Sequence, residues 1–101
     1  MARFITRVEL HGAVDADYTT LHAAMNDEGF GRTIKSGDGT VYQLPTATYY
    51  LDSEKERNSV LEAAKRAATK TNKKFGVIVT ESQVSTWYGL AIVSQPKPAS
   101  T

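Results

Sequence analysis

The chain has two histidines, the side chains that titrate closest to neutral pH. His22 follows Tyr18 by one helical turn and adjoins Leu21, which places it at the border of an apolar helical stripe. An imidazole in that position can act as a general acid or base. A boundary histidine that only packs and hydrogen-bonds explains the same pattern. His11 follows a predicted strand, where an exposed turn residue is the ordinary interpretation.

Metal and thiol chemistry have little support in this sequence. There is no cysteine, so disulfides and thiolate metal sites are excluded. The two histidines have no third ligand at a metal-binding spacing. We therefore expect no metal and no other cofactor.

The basic residues suggest a different chemistry. The formal net charge is only +1, but there is no Lys or Arg between Arg7 and Arg32. Beyond Glu62 the chain carries a basic cluster consisting of Lys65, Arg66, Lys70, Lys73 and Lys74. Together with Arg7 and Arg32, this cluster could neutralise the phosphates of an RNA strand. A solvated helix end would have the same composition.

A strand and a helix must position His22. The strand is predicted over 4–10, because its residues alternate between an inward set and an outward set that consists of Ile5, Arg7 and Glu9. Its inward positions are Phe4, Thr6, Val8 and Leu10. The helix is predicted to begin with Asp15 as its N-cap and to end at Gly29. Its inward stripe consists of Val14, Tyr18, Leu21 and Met25.

The second half of the chain repeats this plan after a hairpin. The turn signal at 36–39 predicts a hairpin with arms at 30–35 and 40–44, and the second arm resumes over 47–51 after Pro45. Ser53 and Glu56 form a capping box, which predicts a second helix beginning at Glu54. Its inward stripe consists of Val60, Ala64, Ala67, Ala68 and Thr71. A strand follows over Phe75–Ser82.

This order of elements predicts a ferredoxin-like βαββαβ fold in the α+β class, with a four-stranded antiparallel sheet and two helices on one face. We expect one domain over 1–93, with an extra edge strand at 86–93, and a flexible tail over 94–101. The free sheet face would present Arg7 with Glu9, and Tyr42, Tyr49 or Tyr50 nearby could stack RNA bases. A cross-strand ion pair and ordinary sheet aromatics explain the same residues. No apolar run suits a signal peptide or a membrane span, so we expect a cytoplasmic protein without membrane contacts.

Three segments resemble the GhoS family, the endoribonuclease antitoxins of type V toxin–antitoxin systems, once classed as a domain of unknown function. They are FITRVEL at 4–10, LHAAMNDEGF at 21–30 and DGTVYQLPTATYYL at 38–51, within a similarity that covers 4–68. The resemblance implies a ferredoxin-like fold, similar to that of the small CRISPR-associated nuclease subunit, and cleavage of a toxin's messenger RNA. It aligns an arginine linked to activity in the antitoxin with His22.

Two functional hypotheses follow. In the first, Arg7, Arg32 and the basic cluster hold RNA while His22 assists attack of a 2′-hydroxyl on the neighbouring phosphate. In the second, the protein is a non-enzymatic interaction module encoded by a phage or prophage. It would form a homodimer, or bind another protein, through the free sheet face or the edge near Trp87 and Tyr88.

Overall fold

The computed structural model describes residues 2–96, which contain two helices and six strands. In chain order they are β1 Ala2–Leu10, α1 Asp15–Asp27, β2 Thr33–Lys35, β3 Val41–Gln43, β4 Thr48–Ser53, α2 Arg57–Thr69, β5 Phe75–Ser82 and β6 Ile92–Ser94.

β1 is the central strand of the larger sheet, between β4 and β5, and it pairs antiparallel with both. The predicted alternation is confirmed, because all four inward positions are buried. The buried residues of both helices join Phe4, Val8 and Leu10 in one core cluster. Arg7 and Glu9 are exposed on the opposite face. The main core therefore lies between the helices and one face of this sheet.

α1 ends as predicted but begins differently. Gly29 has φ +95°, and the amide of Phe30 donates to the carbonyl oxygen of Met25, the pattern of a Schellman cap. The predicted N-cap was wrong: Val14 occupies that position, and the Asp17 carboxylate accepts its backbone N–H at 2.9 Å. Val14 is also 66% exposed, so it does not belong to the inward stripe.

α2 begins at Arg57 rather than at Glu54, so the predicted capping box was wrong. β4 continues through Ser53, whose hydroxyl accepts the N–H of Lys55 instead of capping a helix. Four residues of the predicted inward stripe, Val60, Ala64, Ala67 and Ala68, lie on α2 and are buried, whereas the buried Thr71 lies two residues beyond the helix. Ala63 is buried beside them, and these small side chains let α2 approach both α1 and the sheet closely.

The prediction of a ferredoxin-like βαββαβ fold with one four-stranded sheet was wrong. Two separate three-stranded antiparallel sheets are present, a larger one of order β4-β1-β5 and a smaller one of order β2-β3-β6. The chain turns at 45–47, where Ala47 has φ +65° and the N–H of Thr48 donates to the carbonyl oxygen of Pro45. β3 and β4 consequently enter different sheets. The expected fourth strand is reduced to a single bridge between Gly31 and Tyr50.

The predicted hairpin is present, although its arms are shorter than expected. β2 and β3 pair around a turn in which the Asp38 carboxylate accepts bonds from the Ser36 hydroxyl and from the N–H of Thr40. Near the C-terminus, the predicted strand over 86–93 is reduced to β6, which pairs with β3 and includes Ser94. The remainder of the predicted tail, 97–101, lies outside the described residues.

Neither α1 nor α2 has the length and apolar character needed to cross a lipid bilayer, and these are the helices found in residues 2–96.

Candidate functional site

A groove with a volume of about 720 Å³ runs between the two sheets. Three aromatic residues line it, Tyr42, Tyr50 and Trp87, together with the basic side chains of Arg3 and Lys35. Hydroxyl groups and short apolar side chains complete the wall, from Thr33, Ile34, Ser36, Val41, Val84, Ser85 and Thr86. Its composition combines stacking surfaces, positive charge and hydrogen-bonding groups.

Strand alternation explains how the larger sheet contributes to this groove. Tyr49 points into the core, so Tyr50 must project from the opposite, helix-free face of β4. Tyr50 pairs with Ile5 across the sheet, and Arg3 lies on the same face of β1, two residues away. One guanidinium nitrogen of Arg3 donates to the carbonyl oxygen of Gln83 at 3.4 Å, at the start of the segment that leaves β5.

The segment between β5 and β6 supplies the third wall. Its Trp87 ring meets the Tyr42 ring edge to face, with centroids 5.4 Å apart. The adjacent Tyr88 is 98% exposed and lines no part of the groove. Of the three tyrosines considered for base stacking, Tyr42 and Tyr50 line the groove and Tyr49 is buried in the core. Trp87 was expected at an interface, and the groove was not predicted because it forms between two sheets where the sequence pattern predicted one.

A second polar cluster lies on the helix-covered side of β4. The Nδ1 atom of His22 lies 2.7 Å from the Tyr49 hydroxyl oxygen in a hydrogen bond whose donor depends on the histidine tautomer. Arg32 is close enough for its charge to act on both groups. Its Nε atom is buried and has no hydrogen-bond partner within residues 2–96. Two predicted site residues, His22 and Arg32, are therefore brought together, with Tyr49 between the helix and the sheet.

The environment of this cluster favours neutral His22 and Tyr49. Burial lowers the pKa of His22 from 6.5, and the Arg32 charge lowers it further. Burial also raises the pKa of Tyr49 to about 12, which outweighs the opposing effect of Arg32. When Nδ1–H donates to Tyr49, the Nε2 atom of His22 keeps a lone pair and can accept a proton. The cluster thus has the chemistry of a general base beside a cation.

The basic cluster, which begins on α2 and continues into the segment before β5, is largely paired with carboxylates. Arg66 donates to both carboxylate oxygens of Glu28, at 3.0 and 3.2 Å, and this bonding lowers the pKa of Glu28. Lys65 pairs with Glu62 at 3.2 Å, and Lys73 lies 3.8 Å from Asp17. Lys70 and Lys74 make no ion pair among the described residues.

The predicted RNA-binding residues do not converge on one surface. Arg7 is exposed on the helix-free face of the larger sheet, opposite Thr48 and Ile78 in its neighbouring strands. Lys65, Arg66 and Lys70 are exposed on the helix layer, on the other side of that sheet. A single RNA strand that contacts Arg7 and these three residues would have to pass around the domain.

Comparison with protein-family models, curated proteins and solved structures gives no match to this chain. The similarity to the GhoS family consequently stays a prediction from sequence pattern.

Proposed function

We propose that the protein binds single-stranded RNA in the groove between its two sheets. The observation that carries this proposal is the meeting of three aromatic rings and two cations on one concave surface. Proteins that bind single strands combine aromatic side chains, on which bases stack, with positive charge that follows the backbone. Single-stranded rather than duplex RNA is the expected ligand, because only unstacked bases expose faces to Tyr42, Tyr50 and Trp87.

The groove supports this proposal better than the basic cluster does. Three of those cations already face carboxylates, so a phosphate would have to compete with Glu28, Glu62 or Asp17. Arg3 and Lys35 make no ion pair among the described residues, and both are exposed. Because the fold implied by the GhoS resemblance is not the one observed, the proposal depends on the groove rather than on kinship. A cytoplasmic location forms part of the same proposal.

Binding of a labelled, unstructured RNA oligonucleotide, followed by fluorescence anisotropy, tests this proposal. Trp87→Ala should weaken binding about 5- to 150-fold, since each base–aromatic stack contributes roughly 1–3 kcal/mol. Tyr88→Ala is the matched control, because it removes a neighbouring ring that faces solvent, and it should bind like the wild type. Absence of wild-type binding at low salt, or equal losses in the two variants, would contradict the proposal. A parallel titration with single-stranded DNA separates RNA from general single-strand binding.

The His22 cluster supports a second candidate function, endoribonuclease cleavage of the kind the GhoS resemblance implies. In this reaction His22 takes the proton of a ribose 2′-hydroxyl, and the oxygen attacks the adjacent phosphorus. The bond from phosphorus to the 5′-oxygen breaks, leaving a 2′,3′-cyclic phosphate and a 5′-hydroxyl that takes a proton from water. Arg32 would stabilise the negative charge that develops on the phosphate oxygens. The observation that favours this function is the hydrogen-bonded His22 beside a cation.

Cleavage is tested separately from binding, because the cluster and the groove lie on opposite faces of β4. Labelled transcripts are incubated with wild type, His22→Ala and the control His11→Ala, with and without magnesium. Loss of cleavage in His22→Ala alone supports the second function. Intact RNA with all three proteins removes it and leaves the groove proposal standing.

A further inference from the structure

The two edges of the larger sheet differ in how they are protected. On the β4 edge, Gly31 and Tyr50 exchange two backbone hydrogen bonds of 2.8 Å. On the β5 edge, the eight residues Phe75–Ser82 pair with β1 only, within the part of the chain described. Alternate residues of an edge strand direct their N–H and C=O groups away from the sheet. The β5 edge therefore offers an open row of backbone donors and acceptors.

β5 has few of the features that normally prevent an edge strand from pairing with another chain. Its sequence, FGVIVTES, contains no lysine, arginine or proline, and its one charged residue, Glu81, lies next to its C-terminal end. Its register with β1 is continuous over all eight pairs, from Arg3 with Ser82 to Leu10 with Phe75, so no bulge twists the edge away. A long and regular edge of this kind is a template for an additional strand.

Both faces of β5 carry apolar side chains. Phe75, Val77 and Val79 pack against the core but remain only partly buried. Ile78 points to the other face and is 61% exposed. Apolar residues on both faces are typical of a strand inside a sheet rather than at its edge. Another strand beside β5 would complete the burial of these residues.

We propose that β5 pairs antiparallel with β5 of a second copy of this chain. The two ends of the strand carry opposite charges, because Lys74 precedes its first residue and Glu81 lies next to its last. Antiparallel pairing about Ile78 places Lys74 of one copy opposite Ser82 of the other, one residue from Glu81, so ends of opposite charge come together. The Lys74 and Glu81 side chains leave opposite faces of the sheet, and the attraction is between the strand ends rather than within an ion pair. With Ile78 on the two-fold axis, Val77 of each copy lies opposite Val79 of its partner on the helix-covered face. The product is one continuous six-stranded sheet of order β4-β1-β5-β5-β1-β4.

This interface differs from the surfaces that the sequence suggested, the free sheet face and the edge near Trp87. It also does not depend on RNA binding, since no residue of β5 lines the groove. α2 packs on β5 and would lie close to its counterpart across the axis, which extends the apolar layer on the helix-covered side.

Sedimentation and light scattering over a concentration series test the proposal. The wild type should reach a mass of about 22 kDa, twice the 11.0 kDa of one chain. Ile78→Lys places two like charges together at the axis and should weaken the dimer about 100-fold, since such a juxtaposition costs several kcal/mol. Val93→Lys is the matched control: it adds the same charge at a residue of similar exposure, 55%, on a strand of the smaller sheet. The control should remain dimeric.

Hydrogen exchange gives a second measurement that does not depend on a variant. Backbone amides of β5 that point away from β1 should become protected as the protein concentration rises, while those of β6 should not change. A wild type that stays at the mass of one chain throughout, or a dimer whose β5 amides exchange freely, would overturn the proposal. Equal dissociation in Ile78→Lys and Val93→Lys would also place the interface elsewhere.

Discussion

The rings of Trp87 and Tyr42 meet edge to face with a centroid distance of 5.4 Å, and this contact joins the segment after β5 to the smaller sheet. Trp87 is the only tryptophan in the chain, so its fluorescence describes this one contact. β6 begins five residues later and pairs with β3, the strand that carries Tyr42. The ring pair therefore stabilises both the groove and the attachment of the smaller sheet.

Tyr42→Leu should expose Trp87 to water and shift its emission maximum to longer wavelength. The free energy of unfolding should fall by about 1 kcal/mol, because an aromatic pair contributes roughly 0.5–1.5 kcal/mol beyond the area it buries. Tyr88→Leu serves as the control and should change neither quantity, since that ring is exposed. An unshifted emission spectrum in Tyr42→Leu would show that the ring pair does not form in solution.

Salt dependence should locate the cations that contact RNA. Lys35→Gln should reduce the slope of log K against log salt concentration by about 0.7, the value for one lost phosphate contact on a single strand. Lys70→Gln removes an equal charge from the exposed surface of α2 and should leave the slope unchanged. An unchanged slope in Lys35→Gln together with a reduced slope in Lys70→Gln would mean that RNA binds at the basic cluster instead of the groove.

Thr6→Val should stabilise the protein. Thr6 is fully buried in β1, and its hydroxyl oxygen has no hydrogen-bond partner within residues 2–96. Valine has nearly the same shape and removes the unpaired polar group, whose burial costs about 1–3 kcal/mol. Chemical denaturation measures the change. Thr46→Val, at an exposed position of the turn at 45–47, is the control and should give a much smaller gain.

Tyr49→Phe should destabilise the protein by about 1 kcal/mol, the usual net contribution of one hydrogen bond. The ring remains and can still pack edge to face on Phe30, as it does now at 6.5 Å, but the Nδ1 atom of His22 loses its partner. Tyr50→Phe, on the opposite face of β4, provides the comparison. Equal unfolding free energies for Tyr49→Phe and the wild type would contradict a stabilising hydrogen bond between Tyr49 and His22.

The stability of the protein should decrease as the pH falls below the ordinary histidine pKa. Because the folded-state pKa of His22 is lower than 6.5, the unfolded chain binds a proton at that site more readily than the folded chain. Acidification from about pH 7 to about pH 5 therefore favours unfolding through this group. His22→Gln should show a flatter dependence of the unfolding free energy on pH over that interval. Parallel curves for the two proteins would contradict the lowered pKa.

Local patterns in the sequence determined several parts of this protein. The alternation along β1 and the stripe on α2 specify which residues are buried, because each pattern repeats within one element. Gly29 specifies the end of α1, since glycine adopts a positive φ at little cost. The sequence also predicted that His22 borders the apolar stripe of α1, and the residue is partly buried there.

Only the tertiary structure determined how the strands are divided between two sheets, where the groove forms and which residue hydrogen-bonds to His22. Ser53 and Glu56 satisfy a local capping rule, yet pairing with β1 extends β4 through Ser53 and delays the helix. The turn at 45–47 separates β3 from β4, and β6 reaches β3 across some fifty residues of chain. His22 and Tyr49 meet across 27 positions. Each of these contacts depends on long-range packing, whose free energy has no signature in the spacing of neighbouring residues.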